Sequence, residues 1–301
     1  MTNINAHGLS RHIPADVALE IRRRSKFGCV HCRNAVYQYE HIDPEFHEAT
    51  AHDPDHMCLL CGGCHDRVTR GRISKHTIRD DYKRVQQASD IRRPFEELDL
   101  NTQSLTIRFG SCSFRQSNSL ITVNGETLLS ILPPAQGECA PRITGVFYDG
   151  SGNESFRIVD NVWEGALDSW DITVTGTRVC VKTTPGEVAL EIELVPPDEI
   201  RVLQLNMYKD SCHLVIQGNE LLVGHLHPNQ DVYFGLSGFH STGATEAIAI
   251  DSRLSDMPAF RGLQMSGGVG MILDGTGISV GKGAGQMLIG GVKVWELRDD
   301  A

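Results

Sequence analysis

The hydrophobic pattern of this 301-residue chain changes texture near its first third. From residue 105 onward, short alternating or β-branched runs recur at 105–109, 119–123, 142–148, 171–175, 178–183, 188–194, 200–208, 212–216 and 232–236. Turn signals punctuate them, at Asn124-Gly125, Asp149-Gly150, Pro185-Gly186 and Gln217-Gly218-Asn219. A period of two marks half-buried strands, and no long helical period interrupts it, so an all-β domain, a sandwich or a barrel, is expected. Two segments echo each other: Ile131-Leu132-Pro133-Pro134 before 145–148, and Leu194-Val195-Pro196-Pro197 before 205–208. The glycine-rich stretch 262–291 has no phosphate-loop ending and reads as glycine-punctuated strands. Upstream, 76–93 reads as a charged helix or helical linker, and Pro94 with the polar stretch to Ser104 as a boundary. The expected domains are therefore 1–93 and 94–301, within an α+β fold class.

Charge sharpens the division. Residues 1–93 carry 15 Lys+Arg against 12 Asp+Glu, a net of +3, and residues 94–301 carry 13 against 26, a net of −13. A polyanion would be repelled by the second part, so any nucleic acid contact is expected in the first. No stretch approaches the ~18 apolar residues of a membrane span, and the N-terminus has no apolar signal core. No membrane partner and a cytoplasmic location are expected.

Nine of 13 histidines and five of nine cysteines also lie before residue 94. Cys29-Val30-His31-Cys32 is followed, 28 residues later, by Cys61-Gly62-Gly63-Cys64. Two C-x-x-C turns supply four soft ligands, the donor set of a closed structural zinc site. Such an ion has no open position for chemistry, and its role is to hold together a module too small for a good core. Cys58 is out of step with both pairs and reads as packing, as do Cys112, Cys139, Cys180 and Cys212.

Between the pairs stands Glu40-His41-Ile42-Asp43-Pro44; His56 precedes Cys61 by five residues, and His65 follows Cys64 directly. The run C-x-x-C…E-H-I-D-P…H-x-x-x-x-C-x-x-C-H resembles the HNH endonucleases, the ββα-metal nuclease superfamily, in their four-cysteine form. The resemblance covers about residues 20–85. It implies a small zinc-bound ββα-metal module ahead of the all-β domain. It also implies a role for each matching residue. His41 matches the general base. Glu40 matches the carboxylate that holds a catalytic Mg²⁺ or Mn²⁺, where the family more often has Asp. His65 matches a second ligand of that ion. His56 stands where the family usually has the Asn that braces the loop presenting the base. Cys29, Cys32, Cys61 and Cys64 match the zinc knuckles.

The residue types suit the chemistry. A carboxylate, an imidazole and waters hold a hard divalent cation, and an imidazole with an ordinary pKa near 6.5 can take a proton from water at neutral pH. Arg67, Arg70, Arg72 and Lys75 follow the second pair. They are expected as phosphate contacts, which set affinity without reading sequence. His47 and His52 fall in a polar loop, 46–55, read as an excursion between hairpin strands. The implied function is metal-dependent hydrolysis of DNA phosphodiesters. The β-domain is expected to sense a small-molecule or protein trigger, or to drive assembly with another copy, a layout that would suit a defence effector. The competing reading is a zinc-knuckle protein that binds nucleic acid without cutting it.

Overall fold

The computed structural model describes residues 4–250, apart from 101, 226–231, 239 and 243–245, and beyond them the backbone of short strands within 263–297. The chain divides into two compact units, Met1–Glu96 with Glu164–Gly176, and Glu97–Trp163 with Thr177–Ala301. Nothing in the hydrophobic pattern signals the return of Glu164–Gly176 to the first unit.

The first unit contains helices α1 (Ala15–Arg24), α2 (Gly62–Thr69) and α3 (Lys75–Gln87) and an antiparallel pair, β1 (Gln38–His41) and β2 (Met57–Leu60). All four residues of β2 are buried. Successive side chains of a strand point to opposite faces, so β2 has an apolar partner on each side. Met57 and Leu59 pack with Ile21 of α1. Cys58 and Leu60 pack with Cys29, Cys64 and the α3 residues Ile78, Tyr82 and Val85.

The expected charged linker is thus a core helix. Ile78, Tyr82 and Val85 recur at i, i+4, i+7, a narrow apolar stripe that the surrounding charges obscure. Fully burying an aliphatic side chain of this size is worth about 1.5–3 kcal/mol. The helix starts on Ser74, whose hydroxyl accepts from the Thr77 amide at 3.0 Å.

A buried guanidinium organises the first knuckle. Arg33, 6% exposed, donates to the carbonyls of Lys26, Ser25, Gly28 and Cys29 at 2.6–3.3 Å, and to that of Arg92 at 3.1 Å. These bonds hold a loop in which Lys26, Phe27 and Arg33 itself adopt positive φ, a strained arrangement for residues with a Cβ. Gly28 is required by close approach: a Cβ there would lie 2.9 Å from the Arg33 carbonyl oxygen.

Among its described residues the second unit has strands and no helix. One sheet runs Glu246–Ile250, Ser119–Val123, Glu126–Leu132, Arg142–Tyr148, Glu154–Val159. Another runs Arg178–Thr184, Glu187–Val195, Glu199–Lys209, Cys212–Gln217, Glu220–His225, Val232–Leu236, with Thr106–Phe109 parallel to Glu199–Lys209. Alternation sets the inward face: in Arg142–Tyr148, Ile143, Gly145 and Phe147 are buried and their neighbours half-exposed. The two echoing segments are the same local device, a strand ending at Pro-Pro and pairing antiparallel with the next. Of 262–291, only short strands such as Met271–Asp274 and Gly277–Val280 are described; the rest lies outside the described residues. No helix among the described residues is long and apolar enough to cross a membrane.

Candidate functional site

Two groupings of polar side chains lie side by side in the first unit. The sulfurs of Cys29, Cys32, Cys61 and Cys64 all fall within 4.8 Å of one another, and Cys32 and Cys61 are 3.5 Å apart. A tetrahedral zinc ion with ~2.3 Å bonds separates its ligand sulfurs by about 3.8 Å, so the four thiols fit it. Their electrostatics also call for a cation. A hydrogen bond from Cys32 pushes the Cys29 thiol down to about 4. The same bond pushes Cys32 up, and burial pushes Cys64 up to about 12. Without a metal the crowded sulfurs cannot all ionise; bound zinc removes that conflict. Cys61 caps α2, its sulfur accepting from the Cys64 amide at 3.4 Å. Cys58 stays outside the cluster, and burial raises its thiol well above the ordinary range.

The second grouping lines a cavity of about 390 Å³. Glu40 and His41 are the last two residues of β1, and His65 lies in the first turn of α2. All three line this cavity, with Lys75, His52 and Arg11. Glu40 Oε2 is 3.1 Å from His65 Nε2, and Glu40 Oε1 is held by the Lys75 ammonium. Lys75 also donates to the His41 carbonyl at 2.7 Å. Neighbouring strand residues would face apart, but the chain leaves β1 at His41, and the two side chains share the cavity. His41 is 8% exposed, its ring edge-on to Phe46 at 5.6 Å, and Arg11 lies over Phe46 at 4.4 Å. Burial, then the repulsion of His52, Lys75 and Arg11, lowers the His41 pKa to about 4. Its imidazole is therefore unprotonated at neutral pH, and less basic than the value near 6.5 expected from the sequence.

Other expected site residues are placed differently. The His56 side chain is exposed, 4.0 Å from Asp53, and does not line the cavity; its carbonyl accepts from the amide of Ile42, the residue after His41, at 2.8 Å. His52, read as part of a plain excursion, is the side chain on the His41 ring, with Nδ1 3.2 Å from His41 Nε2. Arg11 lies outside the motif altogether. No spacing signal in the sequence marks either residue. His31, between the two cysteines of the first pair, meets Asp81 of α3 through its Nδ1 at 2.7 Å.

The basic residues divide in the same way. Helix α2 ends at Thr69, so it carries Arg67, while Arg70 caps its end and Arg72 follows it. Arg70 pairs with Asp66 at 2.8 Å, Lys75 with Glu40, and Arg67 and Arg72 are exposed. Arg22 donates to Asp171 and Tyr39, and Arg23 to the Trp170 carbonyl, so these two serve the unit's own packing.

Chemically, the cavity offers one carboxylate oxygen and one imidazole nitrogen at a separation suited to adjacent ligands of an octahedral divalent ion, about 3.0 Å for ~2.1 Å bonds. Beside them lie a neutral imidazole and two cationic side chains. Comparison with known protein families, with curated proteins and with solved structures returns no match.

Proposed function

We propose that the first unit is a metal-dependent endonuclease of the HNH kind that hydrolyses DNA phosphodiesters, and that the four-thiol cluster is its structural zinc site. One observation carries this reading. Glu40, His41 and His65, three positions that the motif names separately, meet at one cavity beside the thiol cluster.

The residues divide the work. Glu40 and His65 would hold the Mg²⁺ or Mn²⁺ ion. That ion, when bound, supplies polarisation of the scissile phosphate and charge for the departing 3′ oxygen. Lys75 holds the other Glu40 oxygen and fixes the carboxylate's direction. His41 takes the proton of the attacking water; the water oxygen bonds to phosphorus and the bond to the 3′ oxygen breaks. Arg11 and Lys75 favour a phosphate in the cavity, and the exposed Arg67 and Arg72 suit backbone phosphates further out. The acidic second unit is assigned to a trigger, a small molecule or a protein, or to self-assembly, either of which raises a basal cleavage rate, and this layout would suit a defence effector.

Zinc-loaded full chain is expected to nick supercoiled plasmid with Mg²⁺ or Mn²⁺. His41→Ala should lower the rate by about 100–10,000-fold, the usual worth of a general base, with zinc content unchanged. Equal nicking by both proteins would remove His41 from the mechanism. Plasmid binding without nicking by either would favour a nucleic-acid-binding module.

A further inference from the structure

The histidine on the far side of the His41 ring is not free to choose its role. His52 Nε2 lies 2.8 Å from the Ser10 carbonyl oxygen. A carbonyl only accepts, so His52 carries its proton on Nε2 and presents a lone pair at Nδ1. His41 Nε2, 3.2 Å from that lone pair, must then be the donor. In the neutral pair only this polarity satisfies both contacts, and it leaves Nδ1 as the basic nitrogen of His41.

The Ser10 carbonyl is itself held. Asn5 donates from Nδ2 to the carbonyls of Phe46 at 2.6 Å and Ala49 at 2.7 Å, on the loop that carries His52. Its Oδ1 accepts from the His7 and Leu9 amides at 3.0 and 2.9 Å, closing a turn that leads into Ser10. One asparagine therefore staples the N-terminal turn to the histidine loop and sets the spacing between Ser10 and His52.

We propose that His52 is a positioning residue for His41, and that the turn around Asn5–Ser10 is part of the site because it fixes the His52 tautomer. This rests on the endonuclease reading above. When His41 takes the proton of the attacking water, that proton goes to Nδ1, while the Nε2 proton stays donated to His52. The arrangement orients the base with a neutral partner, and no carboxylate is needed at that position.

Two substitutions separate hydrogen bonding from packing. In His52→Asn the side-chain carbonyl stands where Nδ1 stood and can accept from His41. In His52→Gln the amide reaches toward Ser10, and nothing accepts from His41. On plasmid with Mn²⁺, the zinc-loaded full chain with His52→Asn should keep most of the wild-type kcat. His52→Gln and His52→Ala should lose about 10–100-fold in kcat, the usual cost of removing an orienting partner, with KM little changed. Gln as fast as wild type, or Asn as slow as Ala, would overturn the proposal. Imidazole ¹⁵N shifts of the wild-type chain test it without any activity: both His41 and His52 should be Nε2–H tautomers at neutral pH, and an Nδ1–H tautomer at His41 refutes it. Should the wild type fail to nick, the endonuclease reading falls, and these shifts still decide the tautomer chain.

Discussion

The thiol cluster and the neighbouring cavity are built by opposite means. The cluster takes its four donors from two C-x-x-C turns, each closed locally and each backed by the backbone: Arg33 ties the first to five carbonyls, and the cap of α2 fixes the second. The cavity takes its residues from six places, the N-terminal segment at Arg11 and Ile13, β1, the 45–52 loop, and the starts of β2, α2 and α3. A cluster of four thiols can thus be written in spacing, whereas an open polar cavity is written in which loops the fold brings together. The cluster is the scaffold, and the cavity depends on it: Cys64 and His65 are consecutive, and Glu40 lies opposite Cys58 in the strand pair, next to the thiols.

The largest expected effect comes from removing the scaffold. Stripping the metal with a chelator should unfold the first unit, since structural zinc supplies on the order of 10 kcal/mol in small modules. Hydrogen exchange would show β1, β2, α2 and α3 losing protection while Glu187–Val195 and Glu199–Lys209, in the other unit's own sheet, keep theirs. Loss of protection in both units together would deny the second unit its independent core.

Arg33→Met should act on the same scaffold more mildly. It removes the donor to five carbonyls in a buried, strained loop, and about 2–4 kcal/mol of stability is expected to go with it. Denaturant melts followed alongside zinc release would read it, and an unchanged midpoint would mean that the loop holds itself. The smallest effect belongs to Arg70→Ala. Its pair with Asp66 is exposed, so no measurable change in melting temperature is expected, with a small loss of plasmid affinity confined to low salt. A large loss would give this arginine a place in the site that its position after α2 does not suggest.

Legibility follows the same line. The two C-x-x-C pairs and the carboxylate–histidine step before Asp43-Pro44 were readable because fixed spacing makes the geometry. The strand at 142–148 is readable because one-sided burial imposes alternation, and those at 119–123 and 171–175 because β-branched residues fill them. Strands Cys112–Arg115 and Glu126–Leu132 escaped. Cys112, Ser113 and Phe114 are buried in succession, and Leu128 and Leu129 are adjacent and both buried, which hides the period. Helix α3 was seen as a helix but not as core, because three apolar residues in thirteen carry all its packing. His52 and Arg11 escaped for a different reason: their place depends on hydrogen bonds across some forty residues of chain, made by Asn5 and Ser10.

The endonuclease reading requires a second, open metal position in the first unit beside the closed one. Manganese titrated into the zinc-loaded full chain and followed by electron paramagnetic resonance tests it directly. One bound Mn²⁺ per chain is expected, lost in Glu40→Gln and in His65→Ala, while each variant keeps one zinc. Manganese binding that survives both substitutions, or none in the wild type, would contradict it.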